Sequence, residues 1–207
     1  MRRLFGLHSR RGQSLVEFAL ILPVIMFLLL GMIEMGFAVN HNVAIQTATR
    51  QGSRVGSILV NGDTKCYTGN TTLANAVDPA IISSVEGALT SPGSMVDETQ
   101  VTSVEIFGVS PSGTALGTGS DLFVYNSSTK HFVASGTAGW PAINRCGAVT
   151  GPLPNGGAPL IGVRITYNYR FVTPLGGLLS AFGGGLFANG KITMVDQTTM
   201  ALEPPKP

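Results

Sequence analysis

An apolar run near the amino terminus constrains this chain more than any other feature. The stretch FALILPVIMFLLLGMI, residues 18–33, contains no charged side chain. Extended to residues 15–39, it covers about 25 residues, which as a helix at 1.5 Å per residue spans the ~30 Å hydrocarbon core of a bilayer. The run therefore predicts a membrane-spanning helix. The alternative is a cleaved secretory signal, but such signals have apolar regions of only about 7 to 15 residues.

The charges are distributed so that they orient this helix. Residues 1–12 contain four arginines and no acid, whereas residues 40–207 contain nine basic and nine acidic side chains. Because Lys and Arg favour the cytoplasmic side, we expect the amino terminus to stay inside and residues 40–207 to be exported. The net charge of +2 comes from the leader. With no basic stripe in the folded part, a nucleic-acid partner is not expected.

The exported part contains both cysteines, Cys66 and Cys146. An extracytoplasmic compartment permits a disulfide between them, which would close a loop of about 80 residues and contribute on the order of 4 kcal/mol in the chain-entropy model. Two separate buried thiols are the alternative.

Only 12% of the residues are charged, which also argues against a freely soluble cytosolic domain.

A possible processing signal lies where the basic leader meets the apolar run. Gly12 precedes Gln13, and Glu17 follows five positions after the glycine. This GxxxxE arrangement resembles the type III leader of type IV pilins, which a membrane peptidase cuts after the glycine. A carboxylate in an apolar helix costs about 2.5 to 3.5 kcal/mol near the bilayer centre, so it needs a cation. The new α-amino group of Gln13 on a neighbouring subunit could supply it. Alternatively, Glu17 is an interfacial carboxylate without an assembly role.

The exported domain is predicted to be α+β, with one short helix and an antiparallel sheet. Asp78 and Pro79 predict a helix start, and an apolar stripe at Val77, Ile81, Val85 and Leu89 predicts its buried face. That helix should end near Ser91 and Pro92. Strands are predicted at residues 100–109, on either side of a turn at 127–130, at 161–171 and at 191–202. The apolar connector 175–187 is predicted to be a short amphipathic helix or an exposed apolar lip.

Small residues recur after the membrane run at Ala44, Ala48, Gly52 and Gly56. Their spacing of four places them on one helix face, which permits close approach of another backbone. The face could meet a partner subunit or the protein's own globular domain.

Earlier in the helix, Pro23 deletes one backbone hydrogen bond and predicts a kink.

Taken together, RRGQSLVEFALILPVIMFLLLGMIEMG and ATRQGSRVG resemble the TadE family, pilin-like proteins of the Tad (Flp pilus) machinery. The resemblance covers roughly residues 10 to 57 and is looser at VRITYNYRFVTPLGGLL and MALEPP. It implies a leader at 1–12, a membrane helix with an extracytoplasmic extension at 13–57, and a globular domain at 58–207. The residues expected to act in assembly are Glu17, Phe18, Pro23, Glu34, Ala48 and Gly52.

The resemblance also implies a function. It suggests an inner-membrane pseudopilin or minor pilin, cut by a prepilin peptidase, that helps to build or initiate a pilus. The partners would then be the lipid bilayer, the peptidase, other pilin-like subunits and pilus platform proteins. A signal-anchored binding or adhesion domain that never polymerises is the alternative.

Catalysis is not expected. His8, His41 and His131 have no second ligand at metal-binding spacing, and GVSPSG at residues 108–113 does not have the spacing of a serine nucleophile motif. No glycine-rich nucleotide loop precedes a helix. We therefore expect no metal, cofactor or nucleotide.

Overall fold

The computed structural model of the chain describes residues 11–59, 71–110, 112–113, 115–136, 139–140, 160–177 and 191–202. Two helices, α1 (Arg11–Leu59) and α2 (Thr71–Leu89), precede a 3-10 turn at Glu98–Gln100. Five strands follow: β1 (Val101–Val109), β2 (Ala115–Asn126), β3 (His131–Ala134), β4 (Leu160–Arg170) and β5 (Lys191–Ala201). The predicted α+β class is confirmed, with a long amino-terminal helix and an antiparallel sheet.

The chain divides into two compact units. One contains Met1–Phe37 and Phe171–Gly190, and the other contains Ala38–Arg170 and Lys191–Pro207. In the first unit, the described residues form the amino-terminal part of α1 and a short segment, 171–177, that ends in one helical turn. The connector predicted at 175–187 is described only as far as Gly177, and its remaining residues lie outside the described part.

The second unit contains the sheet, whose strand order is β3-β2-β1-β4-β5 with antiparallel neighbours throughout. The alternation predicted for β4 is confirmed, because its odd-numbered side chains are buried on one face and its even-numbered ones lie on the other. The fully buried members are Ile161, Val163, Ile165, Tyr167 and Tyr169. β1 adds Val104 and Ile106 to this face, opposite Ile165 and Val163.

Helix α2 uses the apolar stripe predicted for it, since Val77, Ile81, Val85 and Leu89 are all buried. Its predicted start at Asp78 was wrong. The helix begins at Thr71, and Pro79 lies inside it. A proline removes one backbone hydrogen bond and crowds the carbonyl four residues earlier, but Leu73, Ala74 and Ala76 before it are good helix formers, and the helix extends toward the amino terminus despite it.

The hairpin between β2 and β3 turns at residues 127–130, as predicted. The Asn126 side-chain oxygen accepts from the Ser128 amide at 2.9 Å, and Lys130 has a positive φ of 58°. Glu86 of α2 attaches the hairpin to the helix. One of its oxygens accepts from the Phe132 amide at 2.7 Å, and the other lies 3.1 Å from the Nδ1 of His131. β3 is thus joined to α2 through a side chain as well as to β2 through the ladder.

Candidate assembly and processing segment

The residues of the predicted processing signal are accessible at the start of α1. Gly12 and Gln13 are exposed, and a Cβ added at Gly12 would meet no atom within 4 Å. Glu17 lies one helical turn after Gln13, whose side-chain amide donates a hydrogen bond of 3.0 Å to the glutamate. The helix geometry thus places the carboxylate beside the residue that would become the new amino terminus, on an open surface.

The surface of α1 that follows is apolar. In the part of the chain that the structure describes, Gly12–Leu59 is the one helix long and apolar enough to cross a membrane, and none of its most apolar window is buried. Phe18 has 60% of its surface exposed, and most of the large side chains from Leu15 to Met35 are similarly open. Pro23 lies within the helix, which continues past it to Leu59. So large an apolar area requires lipid or other helices to cover it.

Glu34 differs from Glu17 in its surroundings, because it is only 4% exposed. One carboxylate oxygen accepts from the Val172 amide at 3.0 Å and the other from the Thr173 amide at 2.9 Å. Two backbone donors compensate a buried carboxylate through charge-assisted hydrogen bonds. The assembly role assigned to Glu34 from the family resemblance stays a prediction, and the two hydrogen bonds observed in the first unit hold the segment 171–177 of the same chain.

The small-residue face of α1 packs on the chain's own globular core. Ala48 is fully buried, and a Cβ added at Gly52 would lie 2.7 Å from Val85 Cγ2 and 3.2 Å from Val163 Cγ2. At Gly56 the nearest atom would be Ile161 Cδ1, at 2.6 Å. Of the two uses considered for this face, the structure has the intramolecular one. The glycines let α1 approach both α2 and β4 closely.

A polar contact between α1 and β5 was missed by the sequence analysis. The Thr49 hydroxyl donates to the Asp196 carboxylate at 2.5 Å, and Thr198 Oγ1 lies 3.1 Å from the same hydroxyl. One turn later, Ser53 donates to the Thr198 carbonyl at 2.7 Å. Asp196 and Thr198 point to the same side as Ile192, Met194 and Met200, which are half-buried as their predicted inward direction requires. The inner face of β5 is therefore polar in its middle.

His41 is also buried, against two tyrosines of β4. Its Nδ1 lies 2.9 Å from the Tyr167 hydroxyl, which in turn donates to Gln100 Oε1 at 3.1 Å. Because a phenol has one proton, Nδ1–H is the donor to Tyr167. The Tyr169 ring meets the imidazole edge-on, with centroids 5.0 Å apart. Burial raises the pKa of Tyr167 above its usual value. The inward direction of Tyr167 was predictable, but its partner was not.

Asp97 caps the 3-10 turn that leads into β1. Its carboxylate accepts from the Thr99 amide at 2.9 Å, from the Thr99 hydroxyl at 2.7 Å and from the Gln100 side-chain amide at 3.2 Å. Partial burial alone would raise the pKa of Asp97, but the hydrogen bonds from Thr99 and Gln100 outweigh it and the pKa is lowered.

The two cysteines, Cys66 and Cys146, lie outside the described residues, so their pairing stays a prediction.

Comparison with known proteins gives a match to a family model. The model of TadE-like proteins matches residues 12–54, which confirms the resemblance over these residues. This match begins at Gly12, includes Glu17 and Glu34, and ends after Gly52. It does not extend to the looser resemblance noted in the last third. No curated protein and no solved structure matches the chain significantly.

Proposed function

We propose that this protein is a membrane-anchored, pilin-like subunit that assembles or initiates a Tad-type pilus, and that it acts by assembly rather than catalysis. The observation that carries the proposal is the family match over residues 12–54, which contains the GxxxxE signal and the whole apolar run 15–39. The leader 1–12 stays on the cytoplasmic side of the inner membrane until a prepilin peptidase cuts after Gly12. The globular domain is exported.

The exposed apolar surface of α1 supports a change of partner during assembly. Before assembly, lipid covers side chains such as Phe18, Phe27 and Met32, each about half exposed or more. In a fibre, the same side chains pack against helices of neighbouring subunits and platform proteins. Lipid chains are as apolar as leucine, so packing alone gives little specificity for one alignment of the helices. A buried charge pair would supply that alignment.

Glu17 is the residue that we assign to this alignment. Within the chain, the neutral amide of Gln13 gives its carboxylate a hydrogen bond but no opposite charge. Cleavage after Gly12 creates an α-amino group on Gln13. When subunits pack with a small axial stagger, the amine of one chain reaches Glu17 of the next and neutralises it. An unpaired carboxylate in hydrocarbon is costly, so the pair forms only when the stagger is correct.

The test is co-purification of the variant Glu17→Gln with other pilus subunits from membranes. Glutamine keeps the length of the side chain and an acceptor for Gln13, but it removes the charge. We expect the variant to insert into the membrane normally and to lose its association with the other subunits. Val16→Ala, a neighbouring change on an exposed apolar side chain, is the matched control and should co-purify like the wild type. Undiminished association of Glu17→Gln would remove the charge from the mechanism.

A further inference from the structure

Glu34 and the segment 171–177 belong to one compact unit with the apolar part of α1. Measured along the helix at 1.5 Å per residue, Glu34 lies about 28 Å from Leu15. That separation nearly equals the ~30 Å hydrocarbon thickness of a bilayer. If the apolar run spans the membrane as proposed above, Glu34 lies at its extracytoplasmic boundary. The amides of Val172 and Thr173, which bind its carboxylate, then lie at the same depth.

The segment itself has the properties of an interfacial element. Val172 has 65% of its surface exposed, while Leu175, three residues later, is 3% exposed. The turn is compact, since Gly176 and Gly177 donate to the carbonyls of Thr173 and Pro174. The exposed valine thus leaves apolar area outside the protein core, in the same compact unit as the apolar part of α1.

The sequence around the segment fits the same environment. Residues 171–190 contain no charged side chain. They share this property with residues 18–33 of the apolar helix, from which they are far away in sequence. The flanking residues are Arg170 and Lys191, which are register partners at the ends of β4 and β5. Long basic side chains at the edge of an apolar element place their charges among headgroup phosphates. The charge pattern thus matches a lipid interface.

We propose that the segment 171–177 is a second membrane contact of this protein, positioned by Glu34, with Val172 in contact with lipid at the extracytoplasmic surface. The proposal rests on the membrane insertion of α1 that the proposed function requires. Glu34 is the positioning residue, because its carboxylate accepts from the amides of Val172 and Thr173, the second and third residues of the segment. The contact gives the protein a second attachment to the bilayer, in addition to the helix.

Tryptophan quenching by brominated lipid tests the proposal in the full-length protein. Val172→Trp, Val195→Trp and Phe27→Trp are reconstituted separately into phosphatidylcholine vesicles with and without bromine on the acyl chains. Val195 is the matched control, since it is a valine of similar exposure, 59%, on β5. Phe27 reports whether α1 is in the bilayer. The native Trp140 is 2% exposed and supplies a background common to all three.

We expect the added emission of Val172→Trp and Phe27→Trp to be blue-shifted and mostly lost in brominated vesicles, and that of Val195→Trp to be unchanged. In Val172→Trp combined with Glu34→Ala, we expect most of this quenching to disappear. If Phe27→Trp is quenched and Val172→Trp behaves like Val195→Trp, the membrane contact is wrong although the anchor stands. If Phe27→Trp is not quenched, both are wrong. Quenching of Val172→Trp that survives Glu34→Ala would overturn the positioning role of Glu34.

Discussion

Thr49 and Asp196 form a 2.5 Å hydrogen bond across 147 positions of sequence. The bond joins helix α1 to strand β5, the edge strand beside β4. Thr49 is fully buried, and Asp196 is half-buried on the inner face of β5. The bond couples the positions of the two elements, and the Thr49 hydroxyl also lies 3.0 Å from the Gln46 carbonyl and 3.1 Å from Thr198 Oγ1.

Thr49→Val should therefore destabilise the protein. The substitution keeps the shape of the side chain but leaves the Asp196 carboxylate without this donor, at a cost of about 1–3 kcal/mol. Thermal unfolding in detergent measures the effect. Thr47→Val is the control, since among the described residues the Thr47 hydroxyl bonds only to the Val43 carbonyl of the same helix, at an exposed position. An equal loss in both variants would contradict the contribution of Asp196.

The same substitution at Thr173 should have the opposite effect. Thr173 Oγ1 is buried without a hydrogen-bond partner among the described residues, although the backbone amide of this residue binds Glu34. A hydroxyl in that state costs about 1–3 kcal/mol relative to a methyl group of the same size. Thr173→Val should leave the melting temperature unchanged or raise it. A clear decrease would mean that the hydroxyl has a stabilising partner.

Gly52 is predicted to be intolerant of any side chain. An alanine there would place its Cβ 2.7 Å from Val85 Cγ2, in a position that both α2 and β4 enclose. Overpacking costs about 1–3 kcal/mol, and the gain of about 1 kcal/mol in helix propensity from Gly to Ala offsets part of it. We expect Gly52→Ala to melt below the wild type. Gly31→Ala is the control, because a Cβ at Gly31 meets nothing within 4 Å, and it should not lower the melting temperature.

Asp97 predicts a pH dependence at the start of β1. The pKa of Asp97 in the folded protein is lowered from its usual value of 3.8, so its stabilising contribution is present above that pH and is lost as the pH falls through the folded pKa. The melting temperature of Asp97→Asn should thus lie below that of the wild type near neutral pH. The difference should shrink as the pH falls below about 4, where the wild-type carboxyl becomes protonated. A difference that does not change with pH would assign the effect to shape rather than charge.

The sequence was sufficient to predict the features that depend on local pattern. The charge-free run predicted the long apolar helix α1. Alternation along β4 predicted which of its side chains are buried. The strands of the hairpin followed from β-branched residues around a turn. Family resemblance over the amino-terminal third was also recognisable, since it depends on residues close together in the chain.

Features that depend on contacts between distant residues could not be predicted. Nothing near Glu34 in the sequence indicates that its partners are the amides of Val172 and Thr173. Likewise, the spacing of Ala48 and Gly52 gives a close-packing face but not the identity of what packs there. The start of α2 was misplaced for a different reason, because Asp78 and Pro79 have the local chemistry of a helix start and only the preceding residues decide otherwise.

The central claim is that a peptidase cuts the chain after Gly12, and the mass of the intact protein extracted from membranes that contain an active prepilin peptidase tests it most directly. Gly12→Val should block the cut, whereas Gly31→Val, at a similarly open helix position, should not. The account predicts a wild-type polypeptide that begins at Gln13 and carries the α-amino group that Glu17 needs. A functional protein that still begins at Met1 would contradict it and favour an anchored binding domain that does not polymerise.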